Sequence, residues 1–332
     1  MARPTVTIAD VAVLAGVSRQ TVSNVLNAPQ RVAPATTVRV QSAIQKLEYR
    51  PNRSARNLRV RASHTIGFRI NSPGGLGDLL DRFLHALANS AQAAGYHVLL
   101  FTSADPQTEF ATYDDLVQTG TVDGFVLADI GIADPRPAWF VRRGIPFVCF
   151  GQPRRNRGEY AWVDVDGGHG TAQAVDYLVS RGHRRIAYLG WPPGTGYGDD
   201  RQAGWRRAMR RHGLSLTGMA GTCPQDAGSA AATARRLLAG KTPPTAFVCG
   251  SDTFAIGARF GCGADAAGQP RATVVGFDDS PAAAFLTPPL SSVRQPLPAV
   301  ADHIVDLLVR RIADPGARPE SVLLRPELVS RD

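Results

Sequence analysis

Hydrophobic residues recur every three or four positions in the first fifth of the chain, which is the spacing of amphipathic helices. Thr7 and Ser18 stand directly before two of these stretches, and both are typical helix N-caps. Gly16 is expected to end the first helix. Two short helices joined by a Gly-containing turn, with a third packed on them, form a helix-turn-helix. The predicted helices are 8–15, 19–26 and about 34–47, the last with Val38, Ile44 and Leu47 facing inward.

After residue 62, short β-like runs alternate with longer helical runs. This alternation predicts an α/β fold with parallel sheets and helices on both faces. About 270 residues are too many for one open sheet, so we expect two similar lobes. The predicted strands are 65–70, 97–102, 124–128, 146–150, 185–189, 245–249 and 273–277, and the predicted helices include 78–94, 170–181, 201–212, 226–239 and 299–312.

Charge divides the chain at the same place. Residues 1–62 hold ten basic and two acidic residues, a net charge of +8, whereas residues 63–332 hold 27 basic and 26 acidic residues. A basic segment before a near-neutral body indicates a polyanion-binding module joined to a separate function. A solvated basic tail is the alternative, and the helical patterning argues against it.

Composition excludes several classes. With 44% hydrophobic and 20% charged residues the chain is an ordinary globular protein. It has no apolar run of about 20 residues and no signal-peptide stretch, and its four cysteines form no Cys-x-x-Cys pair. We therefore expect a cytoplasmic protein with reduced thiols and no metal. The glycine-rich segments 74–77 and 194–198 lack the spacing of dinucleotide and phosphate loops, so neither an enzyme nor a cofactor is predicted.

The second predicted helix carries the candidate DNA contacts. In a helix-turn-helix the N-terminal residues of this helix face base edges in the major groove. Arginine pairs with guanine, and glutamine or asparagine pairs with adenine. A generic three-helix bundle with a polar face is the alternative. The candidates are Ser18, Arg19, Gln20, Thr21, Ser23 and Asn24.

Residues 51–62 form an arginine-rich stretch that is too short to be a stable helix alone. It can fold when DNA is present. Leu58 lies among arginines and is a candidate apolar wedge between base steps in the minor groove. A flexible linker, with Leu58 packed on the body, is the alternative.

The first 59 residues contain the motifs Val6-Thr7-Ile8-Ala9-Asp10-Val11-Ala12, Ala15-Gly16-Val17-Ser18, Thr21-Val22-Ser23, Leu26-Asn27, Tyr49-Arg50-Pro51-Asn52, Ala55-Arg56 and Leu58-Arg59. These motifs resemble those of the LacI family of bacterial transcription regulators. The resemblance implies a helix-turn-helix at residues 1–50 and a hinge helix at 51–62. It implies that Arg19, Gln20 and Asn24 read bases, that Thr7, Thr21, Ser23 and Asn27 hold phosphates, and that Asn52, Ala55, Arg56 and the intercalating Leu58 belong to the hinge.

The body resembles the same family, which implies a two-lobed core like that of periplasmic binding proteins (type I), with three chain crossings. Lobe 1 is expected at about 63–161 and 291–318, and lobe 2 at about 162–290 and 319–332. The segment 71–77 after the first predicted strand and Ser251 before Asp252 depart from the family pattern, so we expect a ligand different from that of the best-known members. The matching motifs are Val122-Asp123-Gly124, Gly182-His183-Arg184-Arg185-Ile186-Ala187, Gly204-Trp205, Ala255-Ile256-Gly257 and Val275-Gly276-Phe277-Asp278-Asp279.

Ligands of such folds bind at the carboxyl ends of strands and in clefts between lobes. The resemblance makes Arg201 the main effector anchor. The acids there are alternatively helix N-caps. The candidate effector residues are Arg201, Asp278, Asp166, Asp252, Gln295, Trp162 and Trp191. We expect a homodimeric repressor on a pseudo-palindromic double-stranded DNA operator, controlled by a small molecule such as a sugar. A sugar-binding protein without a DNA role is the alternative, and it leaves the basic segment unexplained.

Overall fold

The structure is a computed structural model that describes residues 6–49, 62–70, 77–103, 105–153, 158–194, 196, 198–263 and 271–331. Contacts divide the chain into two compact units, Met1–Ser63 and His64–Asp332. Below, "head" means residues 6–49 and "body" means the described residues from His64 onward.

Three helices build the head: α1 (Ile8–Ala15), α2 (Arg19–Asn27) and α3 (Pro34–Lys46), with a short 3-10 turn at Pro29–Arg31. The local signals are the predicted ones. Gly16 ends α1 with a left-handed backbone (φ 61°), which glycine adopts without steric cost. The predicted helix-turn-helix is confirmed.

The head core contains Val11, Val22, Val25 and Val40, all nearly inaccessible to solvent. The prediction that Val38 faces inward is wrong, because its side chain is 65% exposed. Successive helical residues are rotated by about 100°, so Val38 and the buried Val40 lie on opposite faces of α3.

The described part of the body contains two six-stranded sheets. The first has the order β11-β5-β4-β3-β1-β2, and the second has the order β12-β10-β9-β8-β6-β7. Among the described residues, every pair of neighbouring strands is parallel except β10 with β12. The strands are β1 (Thr65–Arg69), β2 (His97–Phe101), β3 (Gly124–Leu127), β4 (Phe147–Phe150), β5 (Trp162–Val165), β6 (Ile186–Gly190), β7 (Ala220–Thr222), β8 (Ala246–Cys249), β9 (Thr273–Phe277), β10 (Ser291–Arg294), β11 (Ser321–Leu324) and β12 (Glu327–Val329).

Helices cover both faces of each sheet. Alternate strand residues enter separate cores, as in β3, where Val126 packs on one side and Phe125 with Leu127 on the other. The predicted two-lobed α/β class is therefore confirmed. The helices are α4 (Gly77–Ala93), α5 (Pro106–Gln118), α6 (Arg136–Arg143), α7 (Gly167–Ser180), α8 (Asp199–Arg211), α9 (Ala227–Leu238), α10 (Asp252–Cys262), α11 (Pro281–Phe285) and α12 (Leu297–Ala313).

The expected lobe boundaries are wrong by one strand at each crossing. β5 and β11 pair in the first sheet, and β10 pairs in the second. The expectation grouped each strand with the helix that follows it, whereas hydrogen bonding keeps β5 and β10 in the sheet that the chain is about to leave. The crossings consequently fall after Val165, after Arg294 and between Leu324 and Glu327.

The crossings lie side by side. The backbone N–H of Asp166 donates to the carbonyl oxygen of Leu324 (2.8 Å). Gly170 packs so closely on Val293 and Pro326 that an added Cβ would lie within 2.9 Å of both side chains. The chain connections between the lobes thus lie together in one strip.

Candidate nucleic-acid interface and ligand site

Arg19, Gln20 and Asn24 lie on the outer face of α2, opposite the buried Val22 and Val25. Gln20 donates from Nε2 to Oδ1 of Asn24 (3.0 Å), which fixes the two amides side by side. A pair of adjacent amides beside a guanidinium is suited to the donor and acceptor pattern of purine edges.

The other predicted DNA contacts on α2 also make local bonds. Ser18 caps the helix by accepting from the backbone N–H of Thr21 (3.1 Å), and the two hydroxyl oxygens are 2.9 Å apart. Asn27 donates to the carbonyl oxygen of Ser23 (2.8 Å) near the helix end. These bonds hold short polar groups at fixed positions on the surface of the head.

Thr7 belongs to a capping box at the start of α1. Its N–H and hydroxyl donate to the same carboxylate oxygen of Asp10, at 2.8 and 2.7 Å. These hydrogen bonds lower the pKa of Asp10. The predicted hinge contacts Asn52, Ala55, Arg56 and Leu58 lie outside the described residues.

In the body, Arg201 lies in the first turn of α8, at the carboxyl edge of the second sheet. Its guanidinium carbon is 3.7 Å from the Phe277 ring centroid and 5.7 Å from that of Trp191. Its Nη1 donates to the carbonyl oxygen of Gly250 and is 3.5 Å from Oδ1 of Asp278. Cation–π contact and an ion pair therefore hold the arginine between an aromatic wall and a carboxylate.

Asp278 follows β9 directly and accepts from Nε2 of Gln295 (2.7 Å). Burial raises the pKa of Asp278 to about 7, with Asp252 adding to this effect and Arg201 and Gln295 opposing it. Its backbone is left-handed, with φ 106°. Such strained non-glycine backbone is typical of functional sites.

Asp252 stabilises the backbone that follows Asp278. Its carboxylate accepts from the N–H of Ser280 and from the hydroxyl of Ser292, both at 2.6 Å. The hydrogen bonds of Asp252 thus hold the residues next to Asp278 in place. Asp279 is held in turn by Arg294 (2.6 Å) and Arg331.

Glycine contacts set the place of Arg201. A Cβ added to Gly204 on α8 would lie 2.1 Å from the carbonyl oxygen of Gly168 on α7. No side chain fits between these backbones. Asp166 caps α7 by accepting from the N–H of His169 (2.8 Å), which matches the N-cap alternative for this acid.

The two tryptophans have different surroundings. Trp191 packs edge-to-face on Phe254 (4.9 Å between centroids) and lies beside Arg201. Trp162, expected as a sugar platform, is buried in the first-lobe core with Phe147 and Tyr160. It begins β5, at the end of the strand opposite the cleft edge, so the expectation for Trp162 is wrong.

Sequence reasoning missed two residues near this cluster. Arg82 on α4 donates to the carbonyl oxygens of Asp279 (2.6 Å) and Asp278 (2.8 Å). Asp164 on β5 accepts from the N–H groups of Gln152 and Val165. Burial, followed by the charge of Asp200, raises the pKa of Asp164 to about 6. In the sequence, an acidic residue inside an apolar strand could have pointed to Asp164. Nothing distinguishes Arg82 from the other polar residues of its helix.

Residues 7–52 match the family described as "Bacterial regulatory proteins, lacI family", and residues 175–332 match the periplasmic binding protein-like domain. The chain is 30% identical over 338 residues to the ribose operon repressor of Escherichia coli (strain K12), covering 98% of both chains. It is similar to the structure of the transcriptional regulator CelR–cellobiose complex (29% identity, 99% of each chain, TM-score 0.73). It is also similar to the lac repressor dimer bound to operator and the anti-inducer ONPF (26% identity, 98% of each chain, TM-score 0.79).

A head with an exposed polar recognition helix, joined to a two-lobed body with a polar cluster at its strand ends, defines a ligand-controlled DNA-binding regulator. The chain belongs to the LacI family of bacterial regulatory proteins. It is a DNA-binding transcriptional regulator of the repressor type, controlled by a small-molecule effector. Within the described ranges, no helix is long and apolar enough to cross a membrane.

Proposed function

We propose that the protein is a cytoplasmic, homodimeric repressor without catalytic activity, released from or recruited to a pseudo-palindromic operator by a sugar. The observation that carries this proposal is the cluster of Arg201, Asp278 and Gln295 against Phe277 and Trp191. A guanidinium, a carboxylate and an amide donate to and accept from vicinal hydroxyls. The partly exposed indole of Trp191 can cover the apolar face of a sugar, whereas Phe277 is fully buried and packs behind Arg201.

The two-fold arrangement is proposed from the second lobe. Phe260 on α10 and Phe285 on α11 are 69% and 86% exposed. Arg259, next to Phe260, donates to the carbonyl oxygen of Thr287, which links α10 to the segment directly after α11. Large exposed apolar side chains on adjoining elements favour a subunit interface, and an isologous dimer matches a palindromic operator.

In the head, we assign base reading to Arg19, Gln20 and Asn24. Phosphate binding is assigned to Thr7, Thr21, Ser23 and Asn27, whose short side chains are already fixed by local hydrogen bonds. Phosphate contacts supply position and affinity, and the base contacts supply specificity. The hinge residues Asn52, Ala55, Arg56 and Leu58 keep their predicted role in the minor groove.

A selection from random duplex DNA tests the DNA-binding part. Full-length protein is compared with a chain of residues 63–332, which lacks the head. Enrichment of a two-fold symmetric site by the full-length protein alone supports the proposal. Enrichment of asymmetric sites contradicts the dimer on a palindrome, and equal enrichment by both proteins contradicts recognition through the head.

The selected operator then serves to test the effector. D-ribose and cellobiose are titrated against the protein–operator complex, with Arg201→Ala as the matched variant. A sugar that changes operator affinity in the wild type and not in Arg201→Ala supports the cleft site. A sugar response that survives in Arg201→Ala places the effector elsewhere.

A further inference from the structure

The segment from Asp278 to Ser280 is tied to the second lobe through its backbone N–H groups. Asp278 donates to the carbonyl oxygen of Val293 (2.8 Å), and Asp279 donates to the hydroxyl of Ser292 (3.0 Å). Asp278 and Asp279 both have left-handed backbones, at φ 106° and 51°. Because non-glycine residues rarely adopt this conformation, the segment has little freedom to relax around its supports.

The carbonyl oxygens of the same segment are held from the other lobe. Nη1 and Nη2 of Arg82, on α4, donate to the carbonyl oxygens of Asp279 (2.6 Å) and Asp278 (2.8 Å), respectively. The Arg82 side chain is 27% exposed, so the contact is partly shielded from water. Hydrogen bonds from an ionised donor are about twice as strong as neutral ones, and the planar guanidinium fixes their direction.

We propose that Arg82 is a positioning residue for the effector response: it couples the place of the Asp278 side chain to the approach of the two lobes. The Asp278 carboxylate faces Arg201 and Gln295, while its own carbonyl oxygen is bound by Arg82. A ligand that moves the carboxylate therefore also moves the acceptor that Arg82 holds. The effector part of this inference rests on the proposed function, whereas the contact between lobes does not.

The first experiment needs no effector. Spin labels are introduced at the exposed positions Gln118→Cys on α5 and Arg210→Cys on α8, one on each lobe. The four native cysteines are buried, which favours labelling at the new sites. Labelled subunits are diluted with unlabelled protein so that each dimer carries one labelled chain, and the interlobe distance is measured by pulsed electron resonance.

We expect Arg82→Ala to raise the population of a longer interlobe distance about tenfold, since two charge-assisted hydrogen bonds are lost. Arg82→Lys retains a cationic donor and restores part of the wild-type distribution. Arg310→Ala is the matched control, because Arg310 pairs with Asp306 (2.6 Å) and Glu320 (3.5 Å) within the first lobe. Unchanged distances in Arg82→Ala, or an equal change in Arg310→Ala, would overturn the proposal.

The second experiment reads the response itself. Operator affinity of the wild type and of Arg82→Ala is measured with and without D-ribose and cellobiose. The factor by which a responding sugar changes operator affinity should fall about tenfold in Arg82→Ala. An unchanged factor contradicts the proposal. If neither sugar acts on the wild type, the sugar assignment fails, and the distance measurement alone decides the role of Arg82.

Discussion

Replacing Gly204 with alanine tests how closely the two helices beside the ligand cluster are packed. The new Cβ would lie 2.1, 2.4 and 2.6 Å from the O, Cα and C atoms of Gly168. All three are backbone atoms, so a rotamer change cannot relieve the clash, and α7 and α8 must separate by about 1 Å. Overpacking of this kind costs about 3 kcal/mol. The higher helix propensity of alanine offsets about 1 kcal/mol of that.

The net loss of about 2 kcal/mol should lower Tm by about 4–8 °C, measured by differential scanning calorimetry. Gly228→Ala is the control, since its new Cβ would meet only a side-chain oxygen of Asp226, at 3.3 Å. Its Tm should stay the same or rise slightly. The separation also moves Arg201, one turn before Gly204, so sugar affinity should fall about tenfold. If Gly204→Ala melts and binds sugar like the wild type, the close backbone contact is not what positions Arg201.

Arg19→Ala should weaken binding to the selected operator by about 1–3 kcal/mol and relax specificity at one base pair, whereas Arg39→Ala, on α3, should not; equal weakening on every base variant would reduce Arg19 to a phosphate contact. Arg201→Ala should abolish the sugar response in an operator titration and leave effector-free binding intact, and a normal response would remove Arg201 from the site. Burial raises the pKa of Asp278 to about 7, so its stabilising contribution is present below its ordinary range and is lost as pH rises through 7. In urea unfolding between pH 5 and 8, the free energy of unfolding should therefore fall as pH rises, and this fall should be smaller in Asp278→Asn. An identical pH slope in both proteins would contradict the raised pKa.

Local signals explain what could be predicted from the sequence. The head helices follow from Thr7, Ser18 and Gly16, whose effects act within one helical turn. Asp278 was found because it directly follows a predicted strand, at the edge where the carboxyl ends of parallel strands meet. Arg201 was singled out as the main effector anchor by the resemblance to the LacI family. Each was predicted alone, and their 3.5 Å contact is a property of the fold.

The incorrect and missed predictions share one cause, because they concern contacts between segments that are distant in the sequence. β5, β10 and β11 are four residues long, and only hydrogen bonding to neighbouring strands decides which sheet they join. Trp162 was assigned to the wrong surroundings for the same reason. Arg82 sits in an ordinary amphipathic helix, and its role depends on two carbonyl groups nearly 200 residues away in the sequence.

The three adjacent crossings limit how the body can move. Because each connection is short and hydrogen-bonded or packed against its neighbours, sliding of one lobe along the other would break several contacts at once. Rotation about the strip that contains them preserves both sheets, which leaves one soft degree of freedom. Any ligand or substitution that acts on the body then shifts one equilibrium between an open and a closed state. The size of the shift is set by how strongly it favours one state over the other. Shifting such an equilibrium from 1:99 to 99:1 requires about 10⁴-fold preferential binding. An effector with less discrimination would change operator occupancy only in part, through the populations of the two states and without an intermediate shape.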